Sequence, residues 1–440
     1  MTTMLTTVPA IVPATVPRTW SPILEGAMAA RAGAAVTAVA EAIQDLSLPA
    51  RHASAPLAAG EAGIALFYAY LDRARPGAGH GETAEGWLDR AFDVLASSAQ
   101  EPSLFGGFTG VAWVAEHLRG PAPAIDAGTE EEDPNADLDA ALLQYLRQTP
   151  WRTHYDLTAG LVGYAVYALE RLPRPSAVAS LERVVEHLAE IAQVRPEGLA
   201  WHTPLELLPA PNRPWNPRGN DNLGIAHGTP GVIAVLARIC AAGVAVERAR
   251  PLLTGAVSWL LAQKLPAGGR SMFPYMVGRE VQIRPARTAW CYGDPGIAMA
   301  LLAAGRAAAE PAWEREALAL ALAVARRPPE ECGVDDAGLC HGAAGLGHVL
   351  NRFHQATGDP EILAAARAWF ERALGYWEPG RGIGGFLTFT PPEDDFERLE
   401  WNEEAGFLTG SAGMALALLA AAGDVDPAWD RVLLLSPLHG

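Results

Sequence analysis

One short pattern recurs seven times along the 440 residues and limits what this chain can fold into. It is a Gly-x-x-Gly step followed by a run rich in Ala, Leu, Val and Ile. The steps begin at Gly60, Gly107, Gly160, Gly228, Gly293, Gly342 and Gly410, and close at Gly63, Gly110, Gly163, Gly231, Gly296, Gly345 and Gly413. A unit of this size cannot bury its apolar face alone, so consecutive copies must stack on one another. Each run is short, small-residue-rich and nearly uncharged, as expected of a helix buried on most sides. The glycines suit a tight turn into such a helix and a close approach of backbones where a side chain would clash.

A second helical pattern precedes each run, at roughly 27–46, 83–98, 136–147, 177–194, 248–265, 311–326 and 361–376. Most of these segments place apolar residues at i, i+3 and i+4 with Arg and Glu between, the pattern of a half-exposed outer helix. Seven buried helices alternating with seven amphipathic ones predict an all-α fold, an α/α toroid (double α-barrel) with inner helices ringed by outer ones. An open solenoid is the alternative. The closed ring is favoured because neither terminal repeat has a polar capping face. Residues 1–20 are rich in Thr, Pro and Val and lack a basic start, so they read as a flexible tail rather than a signal peptide. Residues 21–440 read as a single toroid domain. Three connections within it, 195–222, 266–289 and 378–400, are long and non-helical, and loops of that length are usually functional. They are expected to form lids or small β elements over one mouth of the ring, with short strands at 280–283 and around 386–389. The stretch 120–133 carries five acidic residues and reads as a solvated loop.

The net charge of −17, from 50 acidic and 33 basic residues, excludes an electrostatic grip on nucleic acid. The four cysteines are too few and too scattered for a disulfide framework, which predicts a reducing, cytoplasmic setting. No stretch approaches the roughly 20 uninterrupted apolar residues of a membrane span.

Aligning the repeats on their first glycine places Cys291 and Cys340 at one position, two before it, and His227, Tyr292 and His341 at the next. The fourth, fifth and sixth repeats are consecutive, so these side chains meet at one level on neighbouring helix starts. Two thiolates and an imidazole with a fourth position open make a catalytic zinc set. In the other repeats the two positions hold Ala, Phe, Gly, Thr or Leu, so the cluster is not a by-product of the repeat. Cys240 falls within an apolar run and reads as core, whereas Cys332, eight residues before Cys340, is either a spare ligand or a turn residue.

The seven steps, together with Ala226-His227-Gly228, Trp290-Cys291-Tyr292-Gly293 and Cys340-His341-Gly342, resemble the lanthipeptide cyclases, the LanC-like family, over nearly the whole chain. The resemblance implies a double α/α toroid with one zinc ion (Zn2+) per chain, held by Cys291, Cys340 and His341. It implies His227 and Asp156 as catalytic residues, and Arg287 and Tyr292 as residues lining the site. It also implies a reaction, in which a peptide thiol adds to dehydroalanine or dehydrobutyrine to give a thioether ring. The substrate would be a dehydrated precursor peptide, leader plus core. A separate dehydratase would supply the unsaturated residues, with room for an exporter in the same complex and membrane association only through such partners.

The residues suit that chemistry. A metal that lowers a thiol's pKa keeps it nucleophilic at neutral pH, and the enolate left by the addition needs an acid with a pKa near the working pH, hence His227. Bland readings stand beside these. His227 could bond to backbone at a helix start, Asp156 could be a helix N-cap, and Arg287 could pair with a nearby acid instead of stabilising the enolate oxygen. Two other function classes compete. One is a LanC-like zinc protein that binds a thiol such as glutathione, or acts as a scaffold, without cyclising anything. The other, a toroid glycosidase, needs paired carboxylates that the helix starts do not offer.

Overall fold

The computed structural model describes residues 20–46, 55–97, 100–120, 133–266, 268–390 and 398–438. Each first glycine of a Gly-x-x-Gly step ends a turn as the N-cap of a helix. The inner helices so begun are α2 (Glu61–Ala74), α4 (Phe108–Arg119), α6 (Leu161–Glu170), α8 (Thr229–Ala241), α10 (Asp294–Ala308), α12 (Ala343–Thr357) and α14 (Ser411–Ala422). Each inner helix packs against its neighbours, and α14 packs back against α2. The outer layer comprises α1 (Gly26–Gln44), α3 (His80–Ser97), α5 (Ala136–Tyr145), α7 (Pro175–Ile191), α9 (Val246–Ala262), α11 (Pro311–Ala325) and α13 (Pro360–Gly375). Its one-sided pattern is clear in α7, where Leu181, Val184, Val185 and Leu188 are buried and Glu182 and Glu186 are not. The fold is the expected α/α toroid.

Two sets of bonds close the ring. The first is a circle of backbone hydrogen bonds through the residue two before each first glycine. Ala58 N–H donates to Phe105 C=O, Phe105 to Thr158, Ala226 to Cys291, Cys291 to Cys340, Cys340 to Leu408, and Leu408 back to Ala58, at 2.8–3.4 Å. The remaining link, at 3.1 Å, runs from Leu157 N–H to Ala226 C=O. The second set joins the ends of the chain. The α1 helix packs on α14, Ile23 and Leu24 donate to Ala421 C=O, and the buried Trp20 indole donates to Ala420 C=O. Residues 1–19 of the expected tail and 121–132 of the expected acidic loop lie outside the described residues.

The second glycine of each step explains why the repeat tolerates no side chain there. A Cβ at Gly63, Gly110, Gly163, Gly231, Gly296, Gly345 or Gly413 would lie 1.8–2.4 Å from the carbonyl oxygen six residues earlier. That carbonyl belongs to the turn that carries the hydrogen-bonded circle.

The far face of the ring is closed by the C-terminal segment 428–438. Arg238 on α8 donates to the carbonyls of Leu434 and Ser436, Arg306 on α10 to Leu438, and Trp290 to Leu433. Asp430 lies fully buried between His348 and Arg352 of α12. The face at which the inner helices begin carries the long connections instead. There β1 (Gln193–Arg195) pairs with β2 (Gly198–Ala200), β3 (His202–Thr203), β4 (Asn220–Asn222) and β5 (Met276–Val277) form an antiparallel sheet, and β6 (Thr388–Thr390) pairs with β7 (Glu400–Asn402). The strand expected at 280–283 falls instead at Met276–Val277. The chain reverses at Gly278–Glu280, where both residues take positive φ, so 280–283 follows the turn rather than entering the sheet. No helix among the described residues is long and apolar enough to cross a membrane.

Gly345→Ala is expected to destabilise the protein by roughly 1–3 kcal/mol, the usual cost of overpacking. Gly86→Ala on the open face of α3, where an added Cβ meets nothing within 4 Å, should stabilise by about 0.5–1 kcal/mol. Denaturant unfolding of the two variants measures both.

Candidate metal centre

The hydrogen-bonded circle sets the positions of the chemistry. Cys291 and Cys340 are consecutive members of it, joined by a 3.4 Å backbone bond. Their Sγ atoms and a ring nitrogen of His341 all lie within 4.8 Å of one another, and among the described residues no other group of three or more Cys, His, Asp or Glu side chains is placed to hold a metal ion. Tetrahedral zinc with Zn–S near 2.3 Å and Zn–N near 2.05 Å separates its ligand atoms by roughly 3.5–3.8 Å. The three groups lie close enough together to hold such an ion, and three protein ligands would leave the fourth tetrahedral position for another donor. Cys291 is buried, while Cys340 and His341 are half-buried.

The electrostatics favour an anionic sulfur. A hydrogen bond from the Cys340 thiol holds Cys291 well below the usual thiol range, with further help from His341 and Arg287. As the donor of that bond, Cys340 is pushed up. Burial depresses His341, but its bond to Cys291 more than offsets this and the net shift is upward.

His227 stands on the adjacent turn, since Ala226 N–H donates to Cys291 C=O at 3.3 Å. Its Nδ1 lies 2.9 Å from Asp156 Oδ2 and 3.3 Å from Thr158 Oγ1. Asp156 is not the helix N-cap, which is Gly160. It accepts from Ala159 N–H at 2.9 Å with Oδ1, and this turn aims Oδ2 at the imidazole. Burial alone would raise Asp156 and lower His227. Their pairing wins in both cases, so the carboxyl is held below its ordinary range and the imidazolium is favoured. The side chain of His227 remains 40% exposed on this face of the ring.

Among the described residues Arg287 pairs with no acid. Its Nε donates to the Tyr275 hydroxyl at 3.4 Å, and this bond, with the neighbouring Cys291 and Cys340 sulfurs, raises its pKa against the pull of burial. Tyr292 stacks on His227 with centroids 5.7 Å apart and meets the Tyr275 ring edge-on at 5.3 Å. All seven residues expected at the site thus gather on one face of the ring. Cys240 and Cys332 stand apart, as core cysteines with free thiols raised by burial.

With that geometry in place, the comparison with known proteins is direct. The profile of the family described as lanthionine synthetase C-like protein matches residues 53–434. The chain belongs to that family. Among curated relatives, the nisin biosynthesis protein NisC of Lactococcus lactis subsp. lactis is 29% identical over 147 residues, 31% of this chain and 34% of that protein. The match therefore spans about a third of the relative's length. Among solved structures, nisin cyclase superposes with a TM-score of 0.70 at 20% identity, covering 91% of this chain and 96% of that one. At that identity the likeness shows the shared toroid.

Sequence reasoning missed Tyr275, Asn222, Thr158 and Asp336. Asn222 Nδ2 donates to the Tyr292 hydroxyl, and the buried Asp336, an electrostatic neighbour of His341, accepts from the N–H groups of Gly338 and Phe389. A signal for two of these was present in the repeat. Position six before the first glycine holds Glu101, His154, Asn222, Arg287, Asp336 and Glu404 in repeats two to seven, polar every time. Tyr275 lies in a loop with no repeat register to announce it.

The loop 266–289 that carries Tyr275 and Arg287 is anchored by Asp294, in the first turn of α10. Asp294 is fully buried, accepts from the N–H groups of Met272 and Phe273, and pairs with Arg327 at 2.5 Å. Asp294→Ala, which strands Arg327, is expected to cost roughly 3–5 kcal/mol in denaturant unfolding. Replacing both partners by leucine should recover only part of that loss, because the Met272 and Phe273 N–H groups still lack their acceptor.

Proposed function

We propose that this family member is a zinc-dependent lanthipeptide cyclase. It adds cysteine thiols of a ribosomally made precursor peptide to dehydroalanine or dehydrobutyrine residues of the same peptide, forming lanthionine and methyllanthionine rings. The observation that carries the reading is the meeting of Cys291, Cys340 and His341 beside a His227–Asp156 pair at the starts of adjacent inner helices. Cys291, Cys340 and His341 would hold the zinc. When bound, zinc supplies Lewis acidity that keeps a substrate thiol as thiolate at neutral pH.

In the addition an S–Cβ bond forms, the C=C π bond breaks, and a proton must reach Cα. His227 is the donor. Asp156 occupies its Nδ1 side, so the mobile proton sits on Nε2. Asp156 also raises the proton affinity of the imidazole, which keeps the acid form populated near neutral pH. Arg287, whose Nε is engaged by Tyr275 and whose other nitrogens have no partner among the described residues, offers its terminal N–H groups to the enolate oxygen. Tyr292 adds a hydroxyl on the same side. The unsaturated residues would come from a separate dehydratase, and an exporter could join the same assembly.

Wild-type protein is expected to consume the free thiols of a dehydrated precursor, followed with a thiol reagent and by mass spectrometry. Cys340→Ala and His341→Ala should lose both zinc and activity. Zinc retained with no thiol consumed by the wild type would favour the thiol-binding alternative.

The His227–Asp156 pair predicts a direction in pH. The rate falls as pH rises through the elevated His227 pKa and the donor is lost. Asp156→Asn removes the carboxylate that elevates it, so the alkaline limb of the rate profile should move to lower pH. His227→Ala should lower the rate by about 10²–10⁴-fold at neutral pH, with zinc content unchanged.

A further inference from the structure

Tyr292 and His227 share a position in the repeat, yet the tyrosine cannot do a histidine's work unless its proton points the right way. What fixes that proton is Asn222, the last residue of β4, which is 5% exposed. Its Oδ1 accepts from Gly224 N–H at 2.8 Å, and its Nδ2 lies 3.1 Å from the Tyr292 hydroxyl oxygen. The amide cannot be turned over, because a flip would set its NH2 against the Gly224 N–H, donor to donor. The backbone therefore dictates that Nδ2 faces Tyr292 and that the hydroxyl oxygen accepts. An accepting phenol still carries one proton of its own. Among the described residues that proton is given to no protein group, and Tyr292 is half-buried on the face that carries the metal ligands.

We infer that Asn222 is a positioning residue that makes Tyr292 a hydrogen-bond donor toward the acyl oxygen of the unsaturated substrate residue, beside Arg287. The inference rests on the cyclase reading above and adds to it. It gives the sheet β3–β4–β5 a part in the chemistry. In register with Asn222 on β5 is Met276, next to Tyr275, whose ring packs on Tyr292 and whose hydroxyl takes the Arg287 Nε–H. The sheet thus sets both donors to the enolate oxygen, one through each of two adjacent side chains.

The test is Asn222→Asp. Aspartate keeps the oxygen that accepts from Gly224 N–H, so the turn survives, but its other oxygen only accepts and turns the Tyr292 proton inward. The expected result is a fall in kcat of about tenfold or more, with zinc content and KM little changed. A cycle with Tyr292→Phe separates this from the effect of the new charge. In the Tyr292→Phe background Asn222→Asp should do nothing further, whereas a charge effect would persist there. Unchanged kcat in Asn222→Asp, or full additivity with Tyr292→Phe, overturns the inference while leaving a working cyclase. A second measurement does not depend on turnover. The tyrosine Raman doublet, taken as the difference between each protein and its Tyr292→Phe counterpart, should show an accepting hydroxyl in the wild type. In Asn222→Asp it should show a donating hydroxyl. The same signature in both overturns the inference even if the wild type cyclises nothing, an outcome that would separately defeat the proposed function.

Discussion

A closed circle of seven backbone hydrogen-bonded links, one per repeat, joins the turns that start the inner helices. A peptide hydrogen bond contributes only about 0.5–1.5 kcal/mol net, so the circle's importance lies in register rather than in raw stability. It forces the residue two before each first glycine to the same level around the ring. Two of those residues are Cys291 and Cys340, and their successors include His227, Tyr292 and His341. A slip at one turn would move a ligand out of reach, which is why each step needs a glycine where a Cβ would strike the turn beneath it.

The ring divides labour between its faces. At the far face, the half-buried Arg238 and Arg306 and the buried Trp290 bind carbonyls of the C-terminal segment, and Asp430 sits between His348 and Arg352. Asp430 is paired on both sides there, while the buried Nδ1 of His348 finds no partner among the described residues. At the near face the pairs are looser: His227 is partly exposed, and Arg287 and Tyr292 keep donors that no other described residue takes. Polar groups left unsatisfied by the protein on the face that holds thiols and imidazoles are what a reactive site needs, and the small β elements are pinned there by Asp294, Asp336 and Asn222.

Much of this was readable in the chain because the repeat is strict. Seven glycine steps with apolar runs define seven inner helices, and aligning them brings Cys291, Cys340 and His341 together without reference to coordinates. What repetition does not cover was read less well. The strand at Met276–Val277 was displaced to 280–283 because residue alternation carries no information about where a turn with positive φ falls. Asp156 was open between an N-cap and a histidine partner, since both begin with an acid before an apolar run. It is a turn acceptor and a histidine partner at once, through separate oxygens. Asn222 and Asp336 share a repeat position with Arg287, yet their roles are not legible there, because they depend on backbone N–H groups whose directions only the fold defines.

Zinc K-edge X-ray absorption on the purified protein, before and after addition of a dehydrated precursor peptide that retains its thiols, reads out whether the three repeat-aligned side chains form one metal centre with a place for substrate sulfur. The expected result is two sulfur scatterers at about 2.3 Å and one imidazole nitrogen in the resting protein, rising to three sulfurs when the peptide is bound. A resting spectrum without sulfur, or one whose sulfur shell is unchanged by the peptide, would contradict it.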